Sequence, residues 1–123
     1  MSRAHAFTHA FRGWWFVIRT QHNAWLHAVA STLVMLMAWR LHLSTVEWAV
    51  LLLTIALVWT AEFINTALEA VVDLASPNQH PLAKVGKDVG AAAVLIAALT
   101  SILVGLLILG PPLWEKLIAL FIK

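Results

Sequence analysis

EFINTALEAVVDLASPNQHPLAKVGKDVG, residues 62–90, is the stretch on which the fold turns. Its first part continues an apolar run, yet Glu62, Asn65, Thr66, Glu69 and Asp73 interrupt that run. At roughly 100° per residue these five positions fall within about 100° of arc on a helix. They form one narrow polar stripe on an otherwise apolar cylinder. A charge at the centre of a bilayer costs roughly 2.5–3.5 kcal/mol on insertion scales. The stripe must therefore face a protein interior, a partner subunit or a wet cavity. The second part, SPNQHP, breaks the helix at Pro77 and Pro81, which are hostile to helix interiors.

Working outward, the composition agrees with a membrane setting. Of 123 residues, 62% are hydrophobic and 11% charged, against about 45–50% and about 25% in soluble domains. Seven Trp and no Tyr suit membrane interfaces. The absence of Cys excludes disulfides and thiolate metal sites. No cleavable signal is visible at the start. Basic residues are few and scattered, with a net charge of +2, so nucleic acid is not an expected partner.

The fold class predicted is all-α and integral to a membrane, as one domain over residues 1–123. Residues 2–20 read as an amphipathic helix lying in the headgroup region. Phe7, Phe11, Trp14, Trp15 and Ile18 make its apolar stripe, His5, Arg12 and Arg19 the opposite one, and Phe16 spoils the pattern. TQHNAWLH follows as a polar hinge. Spans are expected at residues 24–43, 46–72 and 89–109, each long enough to cross about 30 Å of hydrocarbon. Gly110-Pro111-Pro112 is read as the stop of the third, and residues 113–123 as a short surface segment. Arg3, Arg12, Arg19, Lys84 and Lys87 then share one side, while Arg40, Lys116 and Lys123 take the other. The bias places the N-terminus and the loop after the second span in the cytoplasm.

With Asp73 near the cytoplasmic surface, Glu62 lies about 16 Å deeper along the helix axis. Acids at two depths suit a site that joins a water-borne reagent to a lipid-borne one. A shallow carboxylate can hold hydrated Mg²⁺. A deep, partly desolvated one can take a proton from a lipid alcohol. The plainer reading is a hydrogen-bonding stripe that assembles helices, but five polar residues on one face favour function. Beyond the prolines, Lys84, Lys87 and Asp88 share a helical face. Two Lys near a helix N-terminus oppose its dipole and suit an anion such as phosphate. Topology anchoring accounts for Lys84 and less well for the Lys87-Asp88 pair. Gly86 and Gly90, spaced GxxxG, read as close helix packing. His5 and His9 have metal-pair spacing without a third ligand, and His22 and His27 are weak signals.

EFINTALEAVVD followed by HPLAKVGKD resembles the signature of the small prokaryotic diacylglycerol kinases, a family that includes undecaprenol kinases. The resemblance extends over nearly the whole chain, including Arg12-Gly13. It implies a three-span homotrimer with active sites between subunits, passing the γ-phosphate of ATP to the hydroxyl of a membrane lipid with Mg²⁺. By motif position it implies Glu62 as catalytic base and Glu69 as metal ligand, with Asn65 and Asp73 in support. Asn78, Gln79, His80, Lys87 and Asp88 would line the nucleotide site.

The chain departs from the family pattern in places. Where diacylglycerol kinases carry a metal-binding Glu before the first span, Gln21 stands here, a neutral and weaker ligand for Mg²⁺. Gln21 with a following Asn and a later His is similar to the undecaprenol kinase branch, although Trp25 replaces that branch's usual Arg. Gly86 stands where Ala is usual. The alternative from another class is a non-catalytic membrane oligomer whose polar stripe only assembles it. Glu62, Asn65, Glu69, Lys87 and Asp88 together favour the lipid kinase, because assembly alone needs neither a metal-type carboxylate nor a phosphate-type Lys.

Overall fold

The computed structural model describes residues 3–122, and every element among them is helical. Ser2, the expected first residue of the N-terminal helix, and Lys123 lie outside the described residues. The order is α1 (Arg3–Thr20), α2 (His22–Leu41), α3 (Thr45–Ala75) and α4 (Pro81–Phe121). Three of them, α2, α3 and α4, are long and apolar enough to cross a membrane. The protein is an all-helical membrane protein with one further helix at its N-terminus.

Local chemistry sets each junction. The whole of the expected hinge contracts to Gln21, in extended conformation, and α2 resumes at His22. The far end of α2 stops at His42, whose left-handed backbone (φ 54°) lets its N–H reach back to α2 carbonyls. Ser44 then starts α3 with a capping box. Its side chain accepts from the Glu47 N–H, and the Glu47 carboxylate accepts from the Ser44 N–H at 2.8 Å.

The α3–α4 turn is tighter than the proline pair suggests. Pro81 is the first residue of α4, where a missing N–H costs nothing and φ is already helical. His80 caps it, its Nδ1 accepting from the Leu82 N–H at 3.2 Å. Lys84, Lys87 and Asp88 therefore belong to the first turns of a helix.

The expected stop at Gly110-Pro111-Pro112 is corrected. α4 runs through both prolines to Phe121, about 60 Å at 1.5 Å per residue. Two prolines each forfeit a backbone donor and crowd the preceding turn. The packing around them outweighs this. Leu109 is buried with Ala38 and Leu51 in the apolar core, and Lys116 Nζ donates to the Arg40 carbonyl at 2.7 Å. The segment expected as a separate surface turn is thus the end of α4, tied to the end of α2.

The main packing is α3 against α4, which a short turn makes antiparallel, and α2 contacts both. Small residues allow it: a Cβ on Gly90 would collide with Asn65 Oδ1 and lie 3.1 Å from Leu68 Cδ2. The expected close GxxxG packing is therefore real at Gly90, whereas Gly86 has only Val72 at 3.7 Å. α1 joins through buried Val17, with Phe7, Phe11 and Trp15 left exposed. At the edge, Trp14 stacks on Trp59 of α3 with ring centres 5.3 Å apart.

Candidate active site

The polar stripe of α3 is graded in burial. Glu62 is 2% exposed and Thr66 is buried, Asn65 and Glu69 are half-buried, and Asp73 is open. This is the order expected of a helix passing from water into the bundle. The stripe does not point at one neighbour. Glu62 turns to α2, where His27 Nε2 lies 3.7 Å from its Oε2. Asn65 turns to α4 at Gly90, and its Nδ2 donates to Glu69 Oε1 at 3.1 Å. Thr66 spends its hydroxyl on the Glu62 carbonyl, at 2.9 Å.

Three atoms in this deep group are buried without a hydrogen-bond partner: His27 Nε2, Glu62 Oε2 and Asn65 Oδ1. Buried polar atoms are almost always paired. Two belong to the inner half of the α3 stripe and the third, His27 Nε2, faces it from α2, so these unpaired groups mark a place built for something other than stability.

Nearer the α3–α4 turn, a cleft of about 830 Å³ opens. Asp73, Asn78, Gln79, His80, Lys87 and Asp88 all line it, with Lys84. Residues singled out from sequence on two helices and their connection thus converge on one cavity. Lys87 Nζ sits 2.5 Å from Asp73 Oδ1 and also feels the charge of Glu69. The first turns of α4 line the cleft and bring the Lys84 and Lys87 ammonium groups to it, a setting suited to an anion such as phosphate.

Glu62, Asn65 and Glu69 are not in that cleft. The expected site therefore has two storeys, a deep one around Glu62 and a shallow one around Lys87, with Glu69 between them on the same helix face. Gln21 is at the α1–α2 break, half-buried, with its side chain unused as a cap. Among the described residues, no hydrogen bond or ion pair joins it to Glu69. Among them, too, no three His, Asp or Glu side chains converge as a metal cluster.

His27 is the residue that sequence reading undervalued. A His within an apolar span is itself an intramembrane ionisable group. That was the available signal; the partner on α3, 35 positions on, was not visible.

A family model described as prokaryotic diacylglycerol kinase matches residues 8–109. The chain is 42% identical over 108 residues to the undecaprenol kinase of Bacillus subtilis (strain 168), covering 88% of each chain. It is 41% identical over 114 residues to the diacylglycerol kinase of Synechocystis sp., covering 92% of this chain and 65% of that one. Against the diacylglycerol kinase of Escherichia coli (strain K12) it is 36% identical over 75 residues, covering 61% of this chain and 62% of the other. A membrane helix bundle with these relatives is a lipid kinase, a phosphotransferase that acts on a lipid alcohol. The chain belongs to the prokaryotic diacylglycerol kinase family.

Proposed function

We propose that this kinase phosphorylates a long polyprenyl alcohol such as undecaprenol in preference to diacylglycerol, working as a homotrimer in the inner membrane of a bacterium. The near full-length match to an undecaprenol kinase supports the lipid, together with Gln21, Asn23 and His27 before and within α2. The Lys and Arg distribution supports a cytoplasmic N-terminus and a cytoplasmic α3–α4 turn.

The observation that carries the mechanism is the two-storey arrangement: a buried carboxylate on the same helix face as a basic cleft open to water. ATP binds in the cleft, with Lys87 taking phosphate and Asn78, Gln79, His80 and Asp88 lining its walls. Asp73 holds Lys87 in place until phosphate competes for it. The lipid hydroxyl reaches Glu62 from the bilayer side. Its oxygen attacks the γ-phosphorus, the new O–P bond forms as the P–O bond to ADP breaks, and its proton passes to Glu62. Such phosphoryl transfer rests mainly on positioning and charge stabilisation.

The residues present fit Mg²⁺. Glu69 is half-buried and held by Nδ2 of Asn65, whose Oδ1 lies against Gly90 of α4. Mg²⁺ asks for one or two carboxylates, the substrate phosphates and waters. Glu69 would hold it, Asn65 would orient Glu69, and Gln21 would be at most a neutral further ligand. When bound, the ion would offset the negative charge of the phosphates.

The test is transfer of labelled γ-phosphate by the purified protein in mixed micelles, with undecaprenol and diacylglycerol assayed side by side. A higher kcat/KM for undecaprenol is expected. A higher value for diacylglycerol would overturn the lipid assignment. In the same assay Glu62→Gln should lower kcat by about 10²–10⁴-fold with the KM for ATP little changed. Near-normal turnover would remove Glu62 as the base.

A further inference from the structure

We propose that His27 is a positioning residue for Glu62, donating from Nε2 to the Glu62 carboxylate and holding it in the orientation that accepts the lipid proton. The inference rests on Glu62 being the base. Four observations carry it. His27 Nε2 and Glu62 Oε2 are 3.7 Å apart, and both are buried. Neither atom has any other hydrogen-bond partner. The separation is slightly longer than a hydrogen bond, and catalytic hydrogen bonds are often long before substrate binds. The imidazole is also held from the side: its ring meets Trp59 edge-on at 6.3 Å, and the Trp59 Nε1–H donates to Ser31, one turn beyond His27, at 3.2 Å. A small cavity of about 70 Å³, lined by His27, Ser31, Thr54 and Ser101, borders the ring, so the imidazole is not packed tight on every side.

A buried carboxylate with no donor would rotate among several poses, and most would miss the lipid hydroxyl. Misplacement of a catalytic group by about 1 Å can cost about 10²-fold in rate. One Nε2–H, fixed on a different helix, removes that freedom without entering the reaction.

The test compares His27→Ala, His27→Gln and Glu62→Gln, alone and with His27→Ala added to Glu62→Gln. The amide nitrogen of Gln reaches the place of Nε2, so His27→Gln should keep most of kcat. His27→Ala should lose about 10²-fold in kcat, with the KM for ATP unchanged. In the Glu62→Gln background His27→Ala should cost little more, because it acts through Glu62. Equal losses in the two backgrounds, or a His27→Gln variant as impaired as His27→Ala, would overturn the proposal and leave Glu62 as base. If Glu62→Gln alone keeps normal turnover, the base assignment falls and this inference falls with it.

Discussion

At the residue scale, chemistry in this chain is written by exceptions to its apolar composition. Glu62, Asn65 and Glu69 stand out in the sequence because each costs free energy where it lies. Their spacing alone puts them on one helix face. What spacing could not tell is which neighbour each one meets. Glu62 faces α2 and Asn65 faces α4, because residues three apart on a helix diverge by about 60° of arc, enough to reach different partners in a bundle.

The contacts of Lys87, Gly86 and Gly90 lead to specific outcomes. Lys87→Met removes the ammonium that Asp73 holds in the cleft. It should raise the KM for ATP at least several-fold and slow transfer, whereas a nucleotide KM that stays put would make Lys87 an orientation anchor only. Gly90→Ala should destabilise the protein by about 1–3 kcal/mol, since the new methyl meets Asn65 and Leu68. Displacing Asn65 also frees Glu69, so activity should fall even in the fraction that stays folded. Gly86→Ala, with only Val72 nearby at ordinary contact distance, should be close to neutral. Thermal unfolding in micelles compares the pair.

At the element scale, prolines had opposite meanings at the two ends of α4. Pro81 starts the helix, while Pro111 and Pro112 lie within it. A proline's local cost is legible in sequence, but whether surrounding packing outweighs it is not. The cluster of Ala38, Leu51 and Leu109 comes from three separate helices, and only their assembly shows that the far end of α4 has something to rest on.

The break between α1 and α2 carries a second element-scale outcome. Gln21 is the lone extended residue there, and its amide is not spent on capping. If the break lies over the metal site, Gln21→Glu should lower the Mg²⁺ concentration for half-maximal rate, because a carboxylate adds charge as well as an oxygen. Rates measured against free Mg²⁺ for parent and variant decide it. An unmoved curve would place Gln21 outside the metal shell.

At the scale of the whole molecule, one chain is a thin bundle. Its core is small, and Leu, Ile and Val side chains are exposed along the length of α3 and α4. A bilayer accounts for most of that surface. Beside Gly90, an apolar groove of about 330 Å³ between α3 and α4 runs past Asn65, Ala93 and Ala97, and small-residue faces of this kind favour helix association in membranes. Light scattering of the detergent-purified protein, corrected for bound detergent, should give three times the 13.6 kDa of one chain. A monomer at working concentration would contradict the trimer.

The membrane class, the three spans, the polar stripe and the residues of the basic cleft were all legible in the amino-acid order. Each follows from composition or from periodicity within a single helix, where neighbours in space are neighbours in sequence. The pairing of His27 with Glu62, the seat of Asn65 on Gly90 and the continuity of α4 through its prolines came only with the packed bundle. They depend on how far one helix slides and turns against another, and that is set by side-chain packing between segments tens of residues apart.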